Sequence, residues 1–230
     1  MAHDWIAFDD RETLAQALAD AIANILVDAI AHRNRASLVV SGGRTPVRLF
    51  SKLSAQALDW SRVHVVPADE RWVDESEPAS NVGLIRRELA RAQAADAHVI
   101  SLKTVHPLPE SGQVVSEARL AEVGFPLDVV VLGMGADGHT ASLFPDAPEL
   151  GGILDSDRAC EVVRPPSQPT ARMTLTPVAL NNARYQFLHI EGDDKREVFE
   201  QAVAGRDVAQ MPIRTALYER GPKLQVYWAP

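Results

Sequence analysis

The sequence predicts an α/β fold, a mostly parallel sheet with helices on both faces. Three observations predict it. Short runs of β-branched and apolar residues, such as Val129-Val130-Val131-Leu132, fit strands buried on both faces. Longer stretches with apolar residues at helical spacing alternate with these runs along the whole chain. Several runs end in Gly-rich or polar turns, and open α/β sheets bind their ligands at such strand ends.

The elements follow in order. Residues 5–8 form the first strand. Residues 11–31 place Leu14, Leu18, Ile22, Ile25, Leu26 and Ile30 on one helical stripe. Residues 37–40 form a strand that ends in Ser41-Gly42-Gly43-Arg44-Thr45-Pro46, and Val47, Leu49, Phe50 and Leu53 belong to the helix beyond. Thr45 suits its N-cap and Pro46 its first position. Residues 63–66 form a third strand, which runs into the polar Asp69-Glu70-Arg71. A helix over 80–95 is capped by Ser80 or Asn81, and 99–102 is a strand. Pro107, Pro109, Ser111 and Gly112 make 104–112 a loop before a helix over 113–123. After the strand 129–132, residues 148–157 read as loop and 160–163 as a strand. Arg172 and the residues after it lead into a short helix with Thr176 as cap and Pro177 first. A strand over 185–190 ends at Gly192, and Asp193 caps a helix through 203. A short helix over 212–218 and a strand over 224–228 close the chain. No repeat, low-complexity tract or linker divides residues 1–230, which read as a single domain with room for a small subsidiary lobe.

Composition narrows the function. The 230 residues are 46% hydrophobic and 23% charged, the profile of an ordinary globular protein. A net charge of −8 argues against non-specific nucleic-acid binding and against docking on anionic membranes. An anionic substrate remains compatible, because a few local cations and backbone N–H groups make a positive pocket. Cys160 is the only cysteine, so no intrachain disulfide forms. No apolar run is read as approaching the ~20 residues of a membrane span. Met1-Ala2-His3-Asp4-Trp5 lacks the basic start and apolar stretch of a signal peptide, so a cytoplasmic enzyme is expected. The absence of H-E-x-x-H and of a cysteine pair leaves a metal site unsupported, and the absence of G-x-S-x-G leaves a serine nucleophile unsupported.

The chemistry concentrates in Asp128 to Pro145, DVVVLGMGADGHTASLFP. Its Gly133-Met134-Gly135-Ala136-Asp137-Gly138 matches the dinucleotide fingerprint G-x-G-x-x-G. That fingerprint needs a helix of some length after the turn, and Pro145 and Pro148 follow too soon. His139 is the best general-base candidate, because an ordinary imidazole accepts a proton near neutral pH. Asp137 is placed either to orient it or to bind a substrate hydroxyl. His64 and His189 sit in strand runs and read as satisfied core or sheet-face histidines. Ser41, Gly42, Gly43 and Thr45 fit a phosphate cradle at a helix N-terminus, and equally a tight strand–helix turn. Arg71 suits an anion or a surface ion pair. Lys195 stands against the positive end of a helix, a conflict that a bound anion removes and that solvation also relieves. Arg172 lies just before a capped helix.

With these residues in hand, the chain resembles the 6-phosphogluconolactonases, within the group that also holds the glucosamine-6-phosphate deaminases. The match rests on SGGRTP at 41–46, DERWV at 69–73, LGMGADGHTASLFP at 132–145, and the segment from Arg172 to Pro177 followed by GDDK at 192–195. It covers essentially the whole chain. The resemblance implies a Rossmann-like fold and hydrolysis of a small phosphosugar lactone, 6-phospho-D-glucono-1,5-lactone, without cofactor or metal, by a monomer or small homo-oligomer. It implies that Ser41, Gly42, Gly43 and Thr45 hold the phosphate with Arg71, Lys195 and Arg172, and that His139 activates water beside Asp137. The deaminases carry an acidic residue five positions after this histidine, where this chain has Phe144. Asp69 matches their proton-transferring aspartate, which keeps deamination as the alternative. A sugar-phosphate sensor without catalysis is the other.

Overall fold

Runs of β-branched residues become strands and helical stripes become helices in a computed structural model that describes residues 3–218 and 221–230. Met1 and Ala2, part of the start read as leaderless, lie outside the described residues. The order is β1 (His3–Ala7), α1 (Arg11–Arg33), β2 (Ala36–Val40), α2 (Pro46–Ser54), β3 (Val63–Pro67), β4 (Asp69–Arg71), α3 (Asn81–Glu88), β5 (His98–Val99), α4 (Pro109–Val123) and β6 (Leu127–Leu132). It continues with α5 (Leu150–Leu154), β7 (Cys160–Val163), β8 (Arg172–Leu175), α6 (Pro177–Asn181), β9 (Ala183–Glu191), α7 (Asp193–Ala204), α8 (Arg214–Tyr218) and β10 (Leu224–Ala229).

Seven strands form one parallel sheet in the order β1-β10-β9-β6-β2-β3-β5. From β2 the chain builds outward through β3 and β5, and from β6 it builds the other way through β9 and β10. The order therefore reverses between β2 and β6. At such a switch point the carboxyl ends of the strands open a crevice. Every residue of β2 and β6 is buried; their apolar runs fit this, and the two polar residues, Ser37 and Asp128, bond to each other across the pair. Alternate side chains feed two cores. Leu38, Val40, Val129 and Val131 pack with Leu14, Leu18 and Leu26 of α1 and with Leu49 and Phe50 of α2. Val39, Val130 and Leu132 face Leu120 of α4 and Phe199 of α7. By length and composition α1 could cross a membrane, which corrects the expectation that no run comes near that size. Here its apolar stripe is buried on the sheet, as in the core helix of a globular protein.

A second, antiparallel sheet, β4-β8-β7, stands beside the first. It sets Arg71 opposite Arg172 and Asp69 opposite Thr174. Asp69-Glu70-Arg71, which the sequence places as polar residues past the end of β3, is thus a strand of its own.

Other boundaries moved for identifiable reasons. Helix α4 begins at Pro109, which is tolerated in a first turn, and Gly112 lies inside it. A Cβ on Gly112 would meet Thr104 and the Trp72 ring at 2.5 Å, so that glycine marks close packing and not a loop. Helix α3 stops at Glu88, and Ala92, with φ +51°, prevents its continuation to 95. The fifth strand is only His98–Val99 and does not reach 102. The 148–157 stretch contains the short α5. Gly192, with φ +93°, caps α7 in place of Asp193, which is already helical. Thr45 has helical dihedrals and makes no capping bond, unlike Ser80 and Thr176, which do.

Candidate active site

The turns after β2 and β6 meet at the switch point because Ser41 ties them together. Its N–H donates to the Val131 carbonyl (3.0 Å), and its hydroxyl donates to the same oxygen (3.2 Å) while accepting from the Gly133 N–H (2.9 Å). Around these turns lies one cleft. Ser41, Gly42, Gly43, Thr45, Asp69, Arg71, His139, Arg172 and Lys195 all line it. Of the sequence candidates only Asp137 lies outside its wall.

Past β6 the chain forms turns, not the helix of a dinucleotide site. The Gly135 N–H donates to the His139 carbonyl (2.8 Å), and the Thr140 hydroxyl donates to the Gly133 carbonyl (2.9 Å). This closed turn brings Asp137 Oδ1 to 2.6 Å from His139 Nδ1. Burial works against the Asp137 charge, but the His139 backbone N–H and the imidazole outweigh it and hold the carboxyl below the usual range. An ionised carboxylate only accepts, so in the neutral ring Nδ1 carries the hydrogen and Nε2 is the acceptor. The imidazole stacks on Phe144 at 4.2 Å between centroids. The Arg172 guanidinium lies over the same Phe144 ring at 5.0 Å.

The strand alternation of β4 turns Asp69 and Arg71 toward the cleft and Glu70 away from it. Glu70 is buried and accepts from the backbone N–H groups of Arg71 (2.8 Å), Asn81 (2.7 Å) and Val82 (2.7 Å). Burial pushes its carboxyl up despite these bonds. Its role is to seat the start of α3 on β4, a role that the motif does not reveal. Asp69 accepts from the Ser142 hydroxyl and from the Asn81 amide (3.2 Å), and its Oδ2 lies 3.6 Å from Arg172. Arg172 is buried and donates to Ser142 (3.2 Å) and to Gln168 (2.8 Å).

Two further residues on the cleft wall come from the end of β9. His189 was expected as a satisfied core or sheet-face histidine. It is 3% exposed, and neither ring nitrogen makes a hydrogen bond; Nε2 lies 3.3 Å from Glu191. Burial opposes the Glu191 charge, but His189, Arg11 and Arg48 together hold its carboxyl below the usual value. Cys160 is buried, and burial pushes its thiol up, so it offers no nucleophile. Among the described residues no cluster of three or more His, Cys, Asp or Glu is placed to hold a metal.

Comparison with known proteins finds relatives over nearly the whole chain. The family model described as glucosamine-6-phosphate isomerases/6-phosphogluconolactonase matches residues 9–228. A 6-phosphogluconolactonase of Rhizobium meliloti is 44% identical over 232 residues, covering 100% of both chains. One from Pseudomonas aeruginosa is 44% identical over 218 residues, 94% of this chain and 90% of that one. The crystal structure of a 6-phosphogluconolactonase from Shewanella baltica superposes with a TM-score of 0.96 at 40% identity, covering 99% of this chain and 98% of that one.

Proposed function

The chain belongs to the glucosamine-6-phosphate isomerase/6-phosphogluconolactonase family, and from that premise we propose how its residues divide the work of lactone hydrolysis. The reaction is hydrolysis of 6-phospho-D-glucono-1,5-lactone to 6-phospho-D-gluconate, the second step of the oxidative pentose phosphate pathway. The observation that carries the residue assignment is the Asp137–His139 pair at the mouth of the cleft.

Arg71, Lys195, the Thr45 hydroxyl and the backbone of Gly42 and Gly43 hold the phosphate. Thr45 is suited to this because its side chain does not cap α2. Ser41 contributes by fixing the two turns, since its hydroxyl proton points at Val131. Arg172 adds positive charge to the same wall. Clamping the phosphate sets the lactone carbonyl near His139, an effect of positioning. Nε2 of His139 takes a proton from water as the water oxygen attacks the carbonyl carbon. Asp137 stabilises the imidazolium that forms. When the tetrahedral intermediate collapses, the ring C–O bond breaks and the imidazolium returns the proton to the leaving ring oxygen. Among the N–H groups of the Gly-rich turn, those of Gly133 and Gly135 are both engaged within the turns. Arg172, packed on Phe144 beside the imidazole, is the charge we assign to the oxyanion.

Two contacts argue against deamination. Phe144 supplies an apolar ring under His139 where a carboxylate would be required. Asp69 is tied to Ser142, Asn81 and Arg172 and serves as their anchor. On this reading the protein is one domain, works in the cytoplasm as a monomer or small homo-oligomer, and takes a small phosphosugar lactone as its partner.

Arg71→Ala and Lys195→Ala should each raise KM by about 10–100-fold, the worth of one charge-assisted hydrogen bond, with kcat little changed. Steady-state hydrolysis corrected for the spontaneous rate checks this. An unchanged KM in both variants would remove them from the clamp. Ammonia release from glucosamine 6-phosphate, run in parallel, should stay at background.

A further inference from the structure

In the sequence Asn81 reads only as a possible helix cap, and Ser80 takes that role. Its own side chain does something else. Asn81 is 1% exposed and does not line the cleft, yet its amide joins two segments that do, β4 and the turn after β2. Oδ1 accepts from Nη1 of Arg71. Nδ2 donates to the Asp69 carbonyl (2.7 Å) and to the Asp69 carboxylate (3.2 Å). The phosphate turn rests on the same group, since a Cβ on Gly42 would fall 1.9 Å from Oδ1.

The chemistry of the neighbours fixes which way the amide faces. Guanidinium only donates, and a carboxylate only accepts. A side chain between them must offer one acceptor and one donor at a fixed separation, and Asn does so without charge. Asp in its place would set a second carboxylate against Asp69 and a competing anion against Arg71.

We propose that Asn81 is a positioning residue of the phosphate clamp, aligning Arg71 and the Gly42 turn as one unit without touching substrate. The inference rests on the assignment of Arg71 to the phosphate. It also gives a reason for glycine at position 42, because any side chain there displaces the amide.

A mutant cycle tests it. Asn81→Ala should raise KM for the lactone about tenfold with kcat within about threefold, and should add little further loss in an Arg71→Ala background, as coupled neighbours do. Asn81→Asp keeps the shape and is the control for folding. Its KM should be raised at neutral pH and fall back toward wild type in acid, where a protonated carboxyl again both donates and accepts. Equal KM effects of Asn81→Ala with and without Arg71 would overturn the coupling. A loss confined to kcat, or a pH-independent defect in Asn81→Asp, would likewise sink it. If Arg71→Ala alone leaves KM unchanged, the phosphate assignment itself is wrong, and that result is separable from the others.

Discussion

His139→Ala should lower kcat by about 10²–10⁴-fold, the usual contribution of a positioned general base, while KM stays near wild type. The expectation is specific because the binding groups and the base sit on different segments. Gly42, Thr45, Arg71 and Lys195 come from the β2 turn, from β4 and from α7, and His139 comes from the turn after β6. Removing the imidazole leaves the clamp intact. The Asp137 carboxyl is held below its usual range by the His139 backbone N–H and imidazole, although burial opposes it, so the partner of the base is a carboxylate at neutral pH. A variant with full kcat would keep the reaction but discard this base.

Gly135→Ala should cost about 10²-fold in kcat, the loss expected when a catalytic group is displaced by about 1 Å. A Cβ at this position would fall 2.1 Å from His139 Nδ1 and 2.5 Å from Asp137 Oδ1. Neither group can absorb that contact without parting from the other, and the imidazole is already stacked on Phe144. The control is Gly151→Ala, where an added Cβ meets nothing within 4 Å and activity should be unchanged. Steady-state kinetics with a thermal melt on each variant separates displacement of the pair from loss of the fold. Wild-type kcat in Gly135→Ala would show that the Asp137–His139 contact is dispensable.

The four sequence motifs bring most of their polar residues to one cleft, but they did not show what each side chain contacts. Glycine at 42 and at 135 reads as turn chemistry in the sequence; in the structure both leave room for a side chain, Asn81 from a distant segment and His139 from the same turn. Ser41 looks like a phosphate ligand beside Thr45, and its hydrogen bonds make it a tie between strand ends. Glu70 sits inside a motif with Asp69 and Arg71 but faces the other way, onto the start of α3. His189 has no local signal at all, because its strand run looks the same whether the ring is satisfied or not.

What the sequence determined by itself is what local physics controls. Apolar periodicity defined most of the strands and helices, Gly and Pro chemistry placed the turns at strand ends, and the Asp137-Gly138-His139 spacing kept acid and base within one turn. The tertiary structure decided which strand ends adjoin. Pairing of β2 with β6 opened the crevice, and antiparallel pairing of β4 with β8 set Arg71 against Arg172. It also decided which polar groups are buried and must find partners, and so set Asn81, Glu70 and Ser142 behind the cleft wall. Those outcomes depend on contacts between segments far apart in the chain, where hydrogen-bond demand in a buried setting, and no local pattern, selects the partner.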